Sequence, residues 1–383
     1  YQAIAVDVIS QSNTFTFKRG ASFIGGLENN GGTTNKLIFD MGKASSYNLD
    51  TNETTWTIQD LHKPIVSGSA KSMGVADIDN QANILYQRMD NITGMLSARQ
   101  SLYKEGQRPN GHYINTYITQ DKRDEYLSEI SGNAGGVTIG YALENAKIPM
   151  EALINIEVSN ENYGVGAEQK TESNSMMAGL FLPNLAQDFL GGAISGKVLV
   201  GFSSHKAKRK VLNNNLLHLG SVFSEDVSGD YNSTHISAGA EWLTEFSKAE
   251  RLSHTISVGT DLVQAYNEDY SAGEYKVDSR NMIQIQSRVQ YGLYFTSLNK
   301  KFSMGSKIGV AYQELLSGEK QDYKINGTST SYKGDDSNTY VTAKLGAKYY
   351  LAETTNFFMD TNFFDSCDDV ENVTVNFGFV SSF

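Results

Sequence analysis

Cysteine is almost missing from this chain: one residue, Cys367, in 383. A lone thiol cannot close an internal disulfide, and in the run DSCDD it has no metal-ligand companions, so it is read as a loop thiol. Proline is scarce too, at 4 residues, against 35 glycines, 21 tyrosines and 18 phenylalanines. That mixture suits many strands and turns better than helices. A surplus of positive charge is also lacking. The net charge of -11, with no arginine-rich or lysine-rich block, argues against general affinity for nucleic acid. The one basic cluster, HKAKRK at 205–210, is short and lies between strand-like runs, so it is expected to be a solvated loop. No stretch approaches the roughly 18 consecutive apolar residues of a membrane-spanning helix, which excludes helical insertion. No signal peptide is visible where Tyr1 opens directly into AIAVDVIS. The expectation is a removed signal, or a chain that is the C-terminal part of something longer.

Catalytic signatures are equally thin. GGAISGKV at 191–198 sets Gly191, Gly196 and Lys197 at phosphate-loop spacing, but Val198 stands where the magnesium ligand must be Ser or Thr, and a strand-like run follows. It reads as a glycine-rich turn. In GSAKSMG at 68–74, Ser69 and Lys71 are two apart, not the three of an SxxK nucleophile, and no GxSxG occurs. The six histidines, His62, His112, His205, His218, His235 and His254, never fall three or four apart, so no helical metal pair exists. Neither a metal nor a cofactor is expected. A hydrolase would need His235 or His254 to meet a serine in space.

What is present, from about residue 110 onward, is period-two alternation. In MIQIQSRVQYGLYF, Ile283, Ile285, Val289, Tyr291, Leu293 and Phe295 share one face, and Gln284, Gln286, Arg288 and Gln290 the other. KFSMGSKIGVAYQ and NTYVTAKLGAKYYL repeat the pattern. Candidate strands fall near 111–120, 135–144, 148–159, 173–183, 196–204, 234–246, 253–266, 282–297, 301–315, 338–351, 355–365 and 371–383. Twelve is an even number, as bacterial outer-membrane barrels require. Short separators such as SLNKK and AETT contrast with long polar ones such as SGEKQDYKINGTSTSYKGDDSN, the asymmetry of short turns and long loops. A soluble sandwich alternates too, but its strands are about half this length and its outer face is charged. Here the polar face is rich in Gly, Ser, Thr and Gln, which suits a lumen. A charge facing lipid costs up to about 2–4 kcal/mol at the midplane, so Glu151, Glu157, Glu241, Glu245, Asp261, Arg288, Lys307, Lys344, Lys348 and Asp360 are expected to face inward. Trp242, Tyr291, Phe295 and Tyr349 are candidate interfacial anchors.

Upstream, Leu85, Met89, Ile92 and Leu96 recur at helical spacing. A helix over about 78–99 would be roughly 30 Å long, close to the thickness of a bilayer's hydrocarbon core, and Arg88 and Asp90 on it could pair with lumen charges. A plug through the bore is the expected role. Residues 1–72 return to short strands such as NTFTFKRG, NKLIFDMG and ETTWTIQDL, separated by Gly and Asn turns in the manner of β-solenoid rungs. The expected fold class is therefore mostly β: an antiparallel transmembrane barrel of about twelve strands, an α-helix in its lumen, and a short solenoid-like N-terminal segment.

This order of solenoid-like strands, bilayer-length helix, twelve long amphipathic strands and terminal phenylalanine resembles the monomeric autotransporters of the type V secretion pathway. The resemblance divides the chain into the C-terminal end of a passenger (1–72), a linker with a pore-spanning helix (73–104) and a β-barrel translocator (105–383). It implies an outer-membrane anchor that exports its own passenger in cis to the cell surface, a monomer whose partners are outer-membrane lipid, the barrel-assembly machinery and periplasmic chaperones. It also implies that Val375, Phe377, Phe379 and Phe383 form the assembly signal of the last strand. One subgroup cuts its linker helix by cyclisation of an asparagine in an Asn-Asn pair. Here NILYQRM puts Asn83 at that position with Arg88-Met89 following, but Ile84 breaks the pair and its β-branch would crowd the reaction. Two other classes use the same strands: a porin with an open lumen, or a barrel hydrolase, each with a periplasmic N-terminal segment.

Overall fold

A computed structural model describes residues 4–18, 26–40, 46–50, 56–61, 66–69, 72–75, 111–125, 128–143, 149–163, 169–213, 224–249, 251–273, 275–325, 328–333, 337–352, 355–366 and 370–381. The expected helix over 78–99, with Asn83, Ile84, Arg88 and Asp90, lies outside these residues, as do Cys367 and Phe383.

The N-terminal strands are short: β1 (Ile4–Val8), β2 (Thr14–Lys18), β3 (Gly26–Asn29), β4 (Lys36–Asp40), β5 (Ser46–Asp50), β6 (Thr57–Asp60), β7 (Val66–Ser69) and β8 (Ser72–Val75). β1 pairs with β3, β2 with β4, and β4 with β6, all in parallel. Stacking in this sense sets Phe15, Leu37 and Ile58 in one row, and Leu27, Leu37, Phe39 and Trp56 are buried between the layers. The turns are held by asparagines: buried Asn35 donates to Asn29 Oδ1 at 2.7 Å and to the Ser10 carbonyl at 2.7 Å.

Then come β9 (Gly111–Glu125), β10 (Ser128–Leu143), β11 (Met150–Tyr163), β12 (Gln169–Phe189), β13 (Gly192–Asn213), β14 (Ser224–Lys248) and β15 (Leu252–Asn267). Two short strands, β16 (Tyr270–Ala272) and β17 (Tyr275–Val277), precede β18 (Arg280–Thr296) and β19 (Phe302–Ser317). Another hairpin, β20 (Lys320–Ile325) and β21 (Thr328–Lys333), precedes β22 (Ser337–Ala352), β23 (Thr355–Ser366) and β24 (Val370–Ser381). Among the described residues, the twelve long strands pair antiparallel with their neighbours, β24 pairs with β9, and β12 with β13, so the sheet closes on itself as a barrel.

Burial is inverted relative to a soluble protein. On β11, Ile154, Ile156 and Val158 are more than half exposed on the outside, while Asn155 and Glu157 are at most 3% exposed inside. The outer face is an apolar band, which only lipid can cover without penalty. One rim carries short connections, such as 190–191 and 297–301; the other carries β16–β17, β20–β21 and the 214–223 connection. By the length asymmetry of outer-membrane barrels, the first rim is periplasmic and the second extracellular.

Two regions differ from the expected loops. HKAKRK is not a loop: it continues β13, with His205, Ala207 and Arg209 inward and Lys206, Lys208 and Lys210 outward. Likewise SGEKQDYKINGTSTSYKGDDSN contains the hairpin β20–β21, which joins β16–β17 through the pairing of β17 with β20. Outside the lipid both faces of a strand meet polar surroundings, so alternation in hydrophobicity vanishes although the strand continues. The same cause makes β13 and β14 22 and 25 residues long, well past the apolar stretches that mark them in sequence.

Candidate functional site

The inward residues of neighbouring strands meet in a belt of charge across the lumen. Arg288 on β18 reaches back over β15 to β14: its Nη1 donates to Asp261 Oδ2 at 2.6 Å and its Nη2 to Glu241 Oε2 at 2.7 Å. Lys197 on β13 closes on Asp261 Oδ1 at 3.0 Å, and Lys307 on β19 stands 3.6 Å from Glu241 Oε1. Further round, Lys344 lies 3.6 Å from Asp360 Oδ1, which also accepts from Asn376 Nδ2 at 2.8 Å. Each carboxylate and cation is thus removed from water but opposed by the other sign, the condition under which buried charge is tolerated.

Glu241, Asp261, Arg288 and Lys307 are brought together, and Lys344 joins Asp360. Lys197 belongs to the belt although its glycine-rich surroundings read as a turn. Its signal was the alternation of Ser195, Lys197 and Leu199 against Ile194, Val198 and Val200. Glu151 and Glu157 stand on β11, away from this belt, in the inward row that also holds Glu161. There Tyr117 donates to Glu157 Oε2 at 2.7 Å and accepts from Asn155 Nδ2 at 3.1 Å. Glu245 and Lys348 are half-buried on the inward rows of β14 and β22, nearer the periplasmic rim.

Large inward side chains are seated on glycine. The Tyr113 and Tyr117 rings lie over Gly140 and Gly136, their direct partners on β10, where a Cβ would run into the rings. The Arg288 guanidinium lies over Gly259 in the same way, 2.8 Å from where a Cβ would stand. Glycine therefore serves here by leaving room for a neighbour.

At the extracellular mouth His205 bridges two serines, Ser173 at 2.7 Å and Ser233 at 2.8 Å, and stacks on Tyr231, which stacks on Tyr270. Of the histidines singled out in the sequence, His235 lies over Gly201, and His254 points outward, its Nδ1 2.7 Å from the Tyr291 hydroxyl. The ring below the apolar band holds Tyr291, Phe295 and Tyr349 with Phe246, Phe302 and Phe357, all outward and toward the periplasmic rim. Trp242 sits slightly higher, its Nε1 donating to the Phe189 carbonyl at 2.9 Å.

A closed barrel with a lipid-facing exterior, paired charges inside and an unequal pair of rims is common to several kinds of outer-membrane protein. The family match decides among them: residues 113–362 match the family described as autotransporter beta-domain. The chain belongs to the autotransporters. The autotransporter barrel resides in the outer membrane and exports its own passenger across it. Solved structures share its fold. The translocator domain of the autotransporter NalP from Neisseria meningitidis aligns with a TM-score of 0.52 at 16% identity, covering 77% of this chain and 98% of that one. The transport unit of AIDA-I from Escherichia coli gives 0.52 at 9% identity, with 76% and 98% covered. The beta domain of the Bordetella autotransporter BrkA gives 0.50 at 10% identity, with 72% and 100% covered. No curated protein matches the autotransporter's sequence.

Proposed function

We propose that residues 76–110 pass through the barrel from the extracellular to the periplasmic rim, with the helix over about 78–99 lying in the lumen. Residues 1–72 are then the C-terminal end of the exported passenger. One observation carries this reading. Val75, the last residue of β8, is opposite Tyr47 on β5, which is opposite Leu212 at the extracellular end of β13. Gly111, the first residue of β9, is opposite Ala142 near the periplasmic end of β10. The linker therefore starts at one rim and finishes at the other, and the outside of the barrel is apolar while the lumen is polar. A polar connection takes the polar route.

The parallel rungs of β2, β4 and β6 support reading residues 1–72 as solenoid-like. Val375, Phe377 and Phe379 face outward on the strand that closes the barrel, a placement that supports their serving with Phe383 as the address read by the assembly machinery and periplasmic chaperones. Self-cleavage at Asn83 belongs to the same proposal, and an exported product with Asn83–Ile84 intact would sink it. The whole reading is tested by protease treatment of intact cells with an antibody against residues 1–70. Digestion from outside is expected. Protection until the outer membrane is opened would instead place the N-terminal segment in the periplasm and overturn its reading as the end of the exported passenger.

A further inference from the structure

The basic run HKAKRK continues β13 beyond the apolar band, and its outward half forms a patch that export does not use. Lys206, Lys208 and Lys210 stand in one column on the outside of β13. Lys170 on β12 is directly opposite Lys208, and Glu172 is opposite Lys206. Glu172 Oε1 lies 2.7 Å from Lys208 Nζ and 3.0 Å from Lys170 Nζ, so one carboxylate ties two ammonium groups together. On the other flank β14 sets Asp230 opposite Lys206, Ser228 opposite Lys208 and Asp226 opposite Lys210. The lysines thus run up the centre of the patch, with carboxylates on both sides. Among the described side chains, the other outward charges of the barrel strands at this rim are Lys122 on β9, Glu314 on β19 and Asp365 on β23. None of those is part of a cationic column.

Below the lysines the outer surface changes in two steps. Ser204 and Asn174, opposite one another on β13 and β12, present a hydroxyl and an amide outward. Next come Phe202, Met176 and Val200, each at least half exposed, in the apolar band. From the bilayer outward the surface is therefore apolar, then neutral and hydrogen-bonding, then cationic. Phe202 to Lys206 is about 10 Å in height for a strand tilted by about 40°. An acylated sugar phosphate carries its groups in the same order: acyl chains, then the hydroxyls and amides of the sugar, then phosphate.

We propose that this patch binds the phosphate groups of a glycolipid in the outer leaflet, with Lys206, Lys208 and Lys210 as the phosphate ligands. This rests on the assignment of this rim as extracellular. A lysine beside an anionic membrane surface strengthens attachment roughly fivefold. Three on one strand face act on the same headgroup layer, and Glu172 keeps Lys208 and Lys170 side by side. The flanking Asp226 and Asp230 suit the same ligand, because a divalent cation is readily shared between carboxylate and phosphate oxygens.

The full chain with Cys367→Ser is purified in detergent and titrated with bisphosphorylated lipid A or with phosphatidylglycerol, and bound lipid is counted by native mass spectrometry. One variant combines Lys206→Gln, Lys208→Gln and Lys210→Gln. The control combines Lys300→Gln with Lys301→Gln at the periplasmic rim, and heat-modifiable migration shows that each barrel is assembled. Expected is a loss of lipid A affinity by roughly 10- to 100-fold in the triple variant and little change in the control. The combination of Lys206→Arg, Lys208→Arg and Lys210→Arg should retain binding. Unchanged affinity in the glutamine triple, or an equal loss in the control, would overturn the patch. Phosphatidylglycerol held as tightly as lipid A, or lipid A fully displaced by inorganic phosphate, would overturn the glycolipid as its occupant. The rim is read separately, by labelling Ser329→Cys on β21 with an impermeant maleimide on intact cells. Labelling is expected; protection until the outer membrane is opened would overturn the rim assignment instead.

Discussion

Arg288 shows how one side chain decides the state of its surroundings. It bonds Glu241 and Asp261 together, so replacing it by Met leaves two buried carboxylates short of a cation while Lys197 and Lys307 remain. Breaking such a group typically costs about 3–5 kcal/mol. Arg288→Met is expected to lower barrel stability by that order in denaturant unfolding followed by Trp242 fluorescence. The double change Arg288→Met with Glu241→Met should cost less than the two singles added, because the second removes a charge the first orphaned. On the outside the rule inverts. Ile156 faces lipid and is 57% exposed, so Ile156→Arg should cost about 2–4 kcal/mol in refolding into bilayers. Its inward neighbour Glu157 instead has its carboxyl group turned into the lumen, where it accepts from the Tyr117 hydroxyl.

At the scale of the strand, the pairing of large residues with glycine joins β9 to β10. Gly140→Val should force the Tyr113 ring off its seat, a cost of about 1–3 kcal/mol for overpacking, seen as a smaller heat-resistant fraction of barrel. The last strand offers a different test. Phe379 meets Phe357 with ring centroids 5.0 Å apart. If Phe379 is also part of an address, Phe379→Ser and Phe357→Ser should weaken refolding in detergent alike, while only Phe379→Ser sharply lowers assembly in cells. Equal losses in both settings would make the phenylalanine a packing residue only. Most strands were legible in the sequence because lipid outside and polar side chains inside impose alternation. The upper parts of β13 and β14 were not, since beyond the bilayer Asp226, Ser228 and Asp230 face water on the outside. There the strand is maintained by its partner and by the Tyr231–Tyr270 stack, which no periodicity announces.

For the whole molecule, the proposed linker in the lumen predicts conductance. The barrel with residues 1–110 attached should be nearly closed in planar bilayers, and removal of residues 1–100 should open it. Large conductance in the intact chain would overturn the placement of the linker in the lumen. The paired charges of the belt fit a lumen lined for a filled, polar interior more than for selecting ions of one sign.

The local sequence alone determined which residues face lipid and which face inward within the bilayer, because side chains alternate strictly along a strand and the two solvents differ so sharply. It determined the number of strands for the same reason. Which charges meet was decided only by closure: Glu241, Asp261 and Arg288 lie on three different strands, and the register of those strands brings them within hydrogen-bonding distance. The union of β5 with the end of β13 was likewise a tertiary outcome, since Ser46–Asn48 and Val211–Asn213 are far apart in sequence and meet only once the chain is folded.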